Sequence, residues 1–218
     1  MTDEALLEYL EGFISPERSR RFLQVLQART RYLTIAIEDV FQLHNTSAVL
    51  RSCEVFGVQD LHLIEARFSR RVDSKIAMGA QQWVDVHRYA DSAECIQVLR
   101  KKGYRIVATT PADHACPLEE LELTQASAIF FGTEKEGLSQ EVLQAADVLL
   151  RIPMNGFTES LNISAAAAII LYKLTAGLRN SGVDWQLSEA EILEKRIDWT
   201  KKSIRSVDGI LQRLRKGH

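Results

Sequence analysis

The sequence predicts an α/β fold, a mostly parallel sheet covered by helices. Short apolar, often β-branched runs recur at Tyr32–Val40, Leu61–Ile64, Val84–His87, Arg105–Thr109, Ala128–Phe131 and Val148–Ile152, and such lengths suit buried strands. Helical patterns lie between several of these runs, and alternation of strand and helix argues for a parallel sheet. Ligands in such sheets sit beyond the carboxyl ends of the strands. Here those ends are Thr109-Thr110-Pro111, Gly132-Thr133-Glu134 and Ile152-Pro153.

Residues 4–14 set Leu6, Leu7, Leu10, Phe13 and Ile14 at helical spacing. Ser15-Pro16 then reads as a cap and first helical position of a second helix reaching about Ala28. Around its apolar stripe stand Arg18, Arg20, Arg21 and Arg29. They read either as a solvated face or as an RNA-contacting one. After the first strand a helix starts near Asn45, a good cap residue, with Arg51 about two turns in and Gly57 ending it. Arg67–Lys75 is a basic loop containing Arg67, Arg70, Arg71 and Lys75. A further helix over about Ser92–Lys102 stops at Gly103. Past Pro153 the chain loops through Asn155, Gly156, Thr158, Glu159 and Ser160, then enters a long apolar helix at about Asn162.

The C-terminal part has a different character. Ser188-Glu189-Ala190-Glu191 is a capping box opening a helix predicted to run nearly to the end. Ile197, Ile204 and Leu211 repeat every seven residues, as do Thr200, Val207 and Leu214, a seam that wants a partner helix. Between Lys195 and Lys216 eight Lys/Arg stand against two Asp, an excess of six positive charges that includes Lys201, Lys202 and Arg205. A solvated helix packed on the N-terminal helices explains this, and so does contact with nucleic-acid phosphates. The expected organisation is a helical extension at 1–30, a sheet domain at 31–180 and a basic C-terminal helix at 181–218.

Several function classes are disfavoured. At 218 residues with a net charge of −2, the chain has no global basic field. Its N-terminus is acidic, unlike a signal peptide, and no apolar run approaches a membrane span, so a soluble cytoplasmic protein is expected. Three widely spaced cysteines suggest neither disulfides nor zinc. His44, His62, His87, His114 and His218 show no metal-ligand spacing, so no metal is expected. Gly132 and Gly137 have P-loop spacing, but Leu138-Ser139 stands where Lys-Ser/Thr is required.

Three junctions together resemble a specific family. They are His44-Asn45-Thr46-Ser47-Ala48-Val49-Leu50-Arg51, then Phe131-Gly132-Thr133-Glu134-Lys135-Glu136-Gly137-Leu138-Ser139, then Ile152-Pro153-Met154-Asn155-Gly156 with Ser160-Leu161-Asn162-Ile163-Ser164. In this order and spacing they are similar to the three motifs of the SpoU/TrmH branch of the SPOUT RNA methyltransferases, over about Leu33–Arg179. The resemblance implies a C-terminal trefoil knot, S-adenosylmethionine as methyl donor, a homodimer, and RNA as substrate. Helical extensions without a separate RNA-binding domain are most similar to members that methylate the 2′-hydroxyl of guanosine 18 in the tRNA D-loop. Methylation of rRNA or of the tRNA wobble ribose is the alternative, and a non-catalytic RNA-binding protein is a reading from another class.

Carried over by motif, Arg51 matches the catalytic arginine and Asn45 the asparagine that positions it. Glu134 matches the acid of the second motif, and Ser160 and Asn162 the polar pair of the third. Thr109, Gly132, Ile152, Met154, Ser160 and Leu161 fall where the family's loops hold the cofactor, largely through backbone groups. Taken singly, Asn45 also suits a helix cap, Glu134 a surface acid and Asn162 a helix start. In-line methyl transfer from a sulfonium needs alignment above all. A guanidinium keeps its proton at ordinary pH, so Arg51 is better suited to binding a phosphate and stabilising alkoxide charge than to acting as a base. Glu159 departs from the family pattern, adding a negative charge beside the expected RNA site.

Overall fold

A computed structural model describes residues 2–39, 43–65 and 79–216. These divide into two compact units, Thr30–Trp185 and Met1–Arg29 with Gln186–His218.

Two helices, α1 (Asp3–Glu11) and α2 (Pro16–Leu26), come first in the chain; in the larger unit β1 (Leu33–Glu38) is followed by α3 (Leu43–Phe56) and β2 (Asp60–Ile64). Then come β3 (Asp85–Tyr89), α4 (Ser92–Lys101), β4 (Arg105–Thr109), β5 (Cys116–Pro117), β6 (Ser127–Phe131), α5 (Gln140–Ala145), β7 (Val148–Arg151) and α6 (Ile163–Arg179). The strands form one parallel sheet in the order β3-β2-β1-β6-β4-β7-β5. Every residue of β1 is buried, as a strand covered on both faces requires. Side chains alternate between two cores. Ile35 and Ile37 of β1 join Ile129, Phe131 and Val107 against Val49, Leu50 and Cys53 of α3 and Ile170, Leu171 and Leu174 of α6. Ala36, Ala128, Phe130, Ile106 and Ala108 face the opposite way, toward Cys95 and Leu99 of α4 and Val142 of α5.

Two elements were not written in any pattern. β5 is two residues long and ends in Pro117, which an edge position tolerates. α5 spans six residues, too short for a period to show, and is fixed by Ser139, whose Oγ accepts from Val142 N at 3.3 Å. At α4 the turn after Lys102 uses Gly103 at φ +83°, a left-handed conformation that suits glycine.

The smaller unit holds α1 (Asp3–Glu11), α2 (Pro16–Leu26), α7 (Glu189–Ser203) and α8 (Val207–Lys216). Ser188 caps α7 with both bonds of the capping box in place. The single long helix expected from Ser188 is instead broken at residues 204–206, where Ile204 is extended and Ser206 takes φ +57°. The break lets Val207 and Leu211 turn with Ile197 and Ile204 onto Leu7 and Leu10. The apolar seam thus finds its partner in α1. Phe22 meets the Trp199 ring edge-on at 5.6 Å, and Glu11 pairs with Arg196 at 2.6 Å.

Candidate active site

A cavity of about 420 Å³ opens beyond the carboxyl ends of β4, β6 and β7. That volume is in the range of small-molecule sites. Its walls include Thr109, Gly132, Ile152, Met154, Ser160 and Leu161, all six positions expected to hold a cofactor. Thr109 spends its hydroxyl on the carbonyl of Phe130, at 2.8 Å, which leaves this wall to backbone groups. Leu150, Ile163 and Ile170 supply apolar surface to the same cavity.

The loop after β6 has its shape imposed by backbone. A Cβ on Gly132 would lie 2.1 Å from the carbonyl carbon and oxygen of Gly137 and 2.3 Å from Leu138 N, so only glycine fits. Thr133 and Gly137 exchange two backbone hydrogen bonds of 3.0 Å each, and Gly137 turns the loop at φ +71°. Thr133 Oγ1 also accepts from Glu136 N at 2.9 Å.

At the tip of this loop Glu134 meets two asparagines that are far away in sequence. Asn45 Nδ2 donates to Glu134 Oε1 at 2.8 Å, and Asn162 Nδ2 donates to the same oxygen at 2.5 Å. Asn162 Nδ2 lies 3.3 Å from Asn45 Oδ1 as well. Asn162 is also the N-cap of α6: its Oδ1 accepts from Ser164 N at 2.8 Å and from the Ser164 hydroxyl. One amide therefore starts the helix and orients the carboxylate. Asn45 is 3% exposed, whereas Glu134 and Asn162 are open to solvent.

Asn45 does not cap α3, which begins two residues earlier at Leu43. Nor does it touch Arg51. They are six positions apart along the helix, a rise of about 9 Å and a net rotation that leaves the two side chains about 120° apart around its axis. Arg51 is exposed, and no hydrogen bond or ion pair engages it among the described residues. The structure thus gathers Asn45, Glu134 and Asn162 at the cavity that Ser160 lines, while Arg51 stands apart from their hydrogen bonds.

Of the residues expected to meet RNA, Arg67, Arg70, Arg71 and Lys75 lie outside the described residues. Lys201 is half-buried, Arg205 exposed, and Lys202 pairs with Asp198 at 2.7 Å. Among the described residues no three His, Cys, Asp or Glu side chains are grouped to hold a metal, and no helix is long and apolar enough to cross a membrane.

A second polar cluster, on β2 and β3, has no sequence pattern. Asp60 accepts from Arg31 Nε at 2.9 Å and lies 2.7 Å from His87 Nε2, while Asp85 takes the other arm of Arg31 at 2.9 Å. His62 stacks on His87 with centroids 4.8 Å apart and meets Tyr89 Oη at 3.0 Å. Burial, followed by the His87 charge, pushes the His62 imidazole down to about 3. Burial alone would raise Asp60, but His87 and Arg31 outweigh it and hold the carboxyl below the usual range. Tyr89 is pushed up to about 12, first by burial.

The sequence pattern of the SpoU rRNA Methylase family matches residues 32–172. The chain belongs to this family. Two relatives are each called tRNA (guanosine(18)-2′-O)-methyltransferase. The one from Borreliella burgdorferi is 40% identical over 94% of this chain and 95% of its own length. That from Thermus thermophilus is 34% identical over 85% of this chain and 96% of its own. Among solved structures, an A. aeolicus TrmH/SpoU tRNA modifying enzyme superposes with a TM-score of 0.79 at 28% identity, covering 87% of this chain and 98% of that one. The SpoU match ends at Tyr172, inside α6, so it contains the cavity and the whole Asn45–Glu134–Asn162 cluster.

Proposed function

We propose that this protein transfers a methyl group from S-adenosylmethionine to the ribose 2′-hydroxyl of guanosine 18 in the D-loop of tRNA. The observation that carries this reading is Glu134, held by Asn45 and Asn162 at the rim of a cavity of about 420 Å³ whose walls include every expected cofactor position. The named activity of relatives at 34–40% identity supplies the substrate.

The cavity suits the cofactor, since its walls set the backbone of Gly132, Ile152 and Leu161 beside the apolar side chains of Leu150, Ile163 and Ile170. Bound there, S-adenosylmethionine supplies a methyl group on a sulfonium, displaced in line with a neutral leaving group. The residues of the chain align and polarise. Both asparagine amides donate to Glu134 Oε1, so the second carboxylate oxygen is left to accept from a substrate or cofactor donor. Ser160 and the backbone at Thr109, Gly132, Ile152, Met154 and Leu161 bind the cofactor. Arg51 holds an RNA phosphate and stabilises developing alkoxide charge, with proton loss assisted by a neighbour or water. Lys201, Lys202, Arg205 and the 67–75 loop bind tRNA phosphates, the sheet domain spans 31–180 between extensions at 1–30 and 181–218, and the fold carries the trefoil knot of its family. A second copy of the chain covers Ile169 and Tyr172 of α6 and Val55 of α3, which are 42%, 66% and 63% exposed.

Labelled S-adenosylmethionine offered with an unmodified tRNA transcript, and with one carrying a 2′-deoxy sugar at guanosine 18, tests the proposal. Label in the first and none in the second is expected. Label in both moves the target elsewhere in tRNA, and label in neither refutes the assignment.

A further inference from the structure

The last residue of β1, Glu38, is a carboxylate only 5% exposed at the end of a strand whose other residues are buried and uncharged. It lies on the face that packs against α4 and α5. Its oxygens accept from Ser139 N at 2.7 Å, from Ser139 Oγ at 2.6 Å and from the hydroxyl of Ser92. A buried charge so placed is costly unless donors converge on it, and donors to an ionised acceptor make strong, directional bonds. Two of these three come from one residue, Ser139, where the loop after β6 enters α5.

That loop has two anchors. The Thr133–Gly137 bridge closes its near end, and Glu38 ties down its far end. Glu134 sits between them. The strand that ends in Glu38 is also the one that leads, seven residues later, to Asn45. Through Ser139, the terminus of β1 thus acts on the Glu134 side of the Asn45–Glu134 contact.

We propose that Glu38 is a positioning residue for methyl transfer: by gripping Ser139 it holds the 132–139 loop so that Glu134 stays within reach of Asn45 and Asn162. This rests on the methyltransferase reading above.

The test uses the full chain with Glu38→Gln, which keeps size but turns an amide toward donors. Hydrogen–deuterium exchange over 132–139 is expected to rise by roughly tenfold or more as the grip is lost. In steady-state assays on tRNA, kcat should fall roughly ten- to a hundredfold while KM for tRNA moves less than about threefold. Placed on Glu134→Ala, Glu38→Gln should lower kcat no further, because the residue it positions is already gone. Unchanged exchange, unchanged kcat, or a full additional loss in the Glu134→Ala background overturns the proposal. Should Glu38→Gln fold poorly, Ser139→Ala removes one of the same bonds and must shift exchange and kcat in the same directions. If the parent protein methylates no RNA, the functional reading fails, and exchange over 132–139 still decides whether Glu38 holds the loop.

Discussion

Gly132→Ala would push a methyl group into space already filled by backbone. The new carbon would stand 2.1 Å from Gly137 C and 2.3 Å from Leu138 N, whereas carbons in contact ordinarily sit about 3.5–4.0 Å apart. No rotamer change relieves this, because the obstructing atoms belong to the main chain. The loop has to open, and the two 3.0 Å hydrogen bonds between Thr133 and Gly137 are the interactions that yield. Each is worth about 0.5–1.5 kcal/mol net, so restoring the loop around a bound cofactor costs about 1–3 kcal/mol. Affinity for S-adenosylmethionine should then fall roughly 5- to 150-fold. S-adenosylhomocysteine should weaken equally, since the wall and not the methyl group is disturbed. Titration calorimetry with both ligands measures the loss, and circular dichroism checks that the sheet persists. A Kd within about twofold of the parent protein would refute the claim that this backbone contact shapes the site.

Arg51→Ala should change stability by no more than about 0.5 kcal/mol, because the side chain is exposed and without partners among the described residues, yet lower methyl transfer by roughly a hundredfold or more; denaturant melts and single-turnover rates separate the two effects. Arg51→Lys keeps the charge and loses the planar fork, and near-full activity in it would sink any role that needs that fork. Asn162→Ala removes a helix cap worth about 1 kcal/mol together with a donor to Glu134, so a melting point lower by roughly 2–4 °C should accompany loss of turnover. His62 titrates at about 3 when folded against 6.5 when unfolded. As pH falls below 6.5 the unfolded chain takes up the proton first, so stability declines between pH 6.5 and about 3, by up to about 1.4 kcal/mol per pH unit. Asp60, lowered from 3.8, works in the same direction only below that value. Urea melts at pH 7 and pH 5 should show the decline, and His62→Phe should flatten it.

Most of the sheet was legible because strands buried on both faces are written as unbroken apolar runs. Arg105–Thr109 matched the expected bounds, and Leu33–Glu38 lay inside the expected Tyr32–Val40. The order of strands was not legible: nothing local to Leu33–Ile37 says that its neighbour is Ser127–Phe131. At the site, the motifs identified Asn45, Glu134 and Asn162, but not that they bond to one another. The bond from Asn45 to Glu134 joins residues 89 apart in the chain, and only the packing of α3 beside the β6 loop brings it about. Glu38 was hidden differently. An acid at the end of a β-branched run reads as the strand's polar boundary, when it is in fact buried and fully engaged.

The pairing of β1 with β6 also sets a clock. Leu33 aligns with Ser127, so 94 residues separate the two central strands of the sheet. At synthesis rates of about 5–20 residues per second, the first strand waits roughly 5–20 s on the ribosome before its neighbour exists. During that interval its apolar faces and its unpaired edge are exposed to whatever else is nearby, and Glu38 carries its charge in water with no serine to meet it. Asn45 must wait longer still for Asn162. The Asn45–Glu134–Asn162 cluster is thus among the last features of the domain to become possible, and a truncated chain released early would bring an aggregation-prone strand without that cluster.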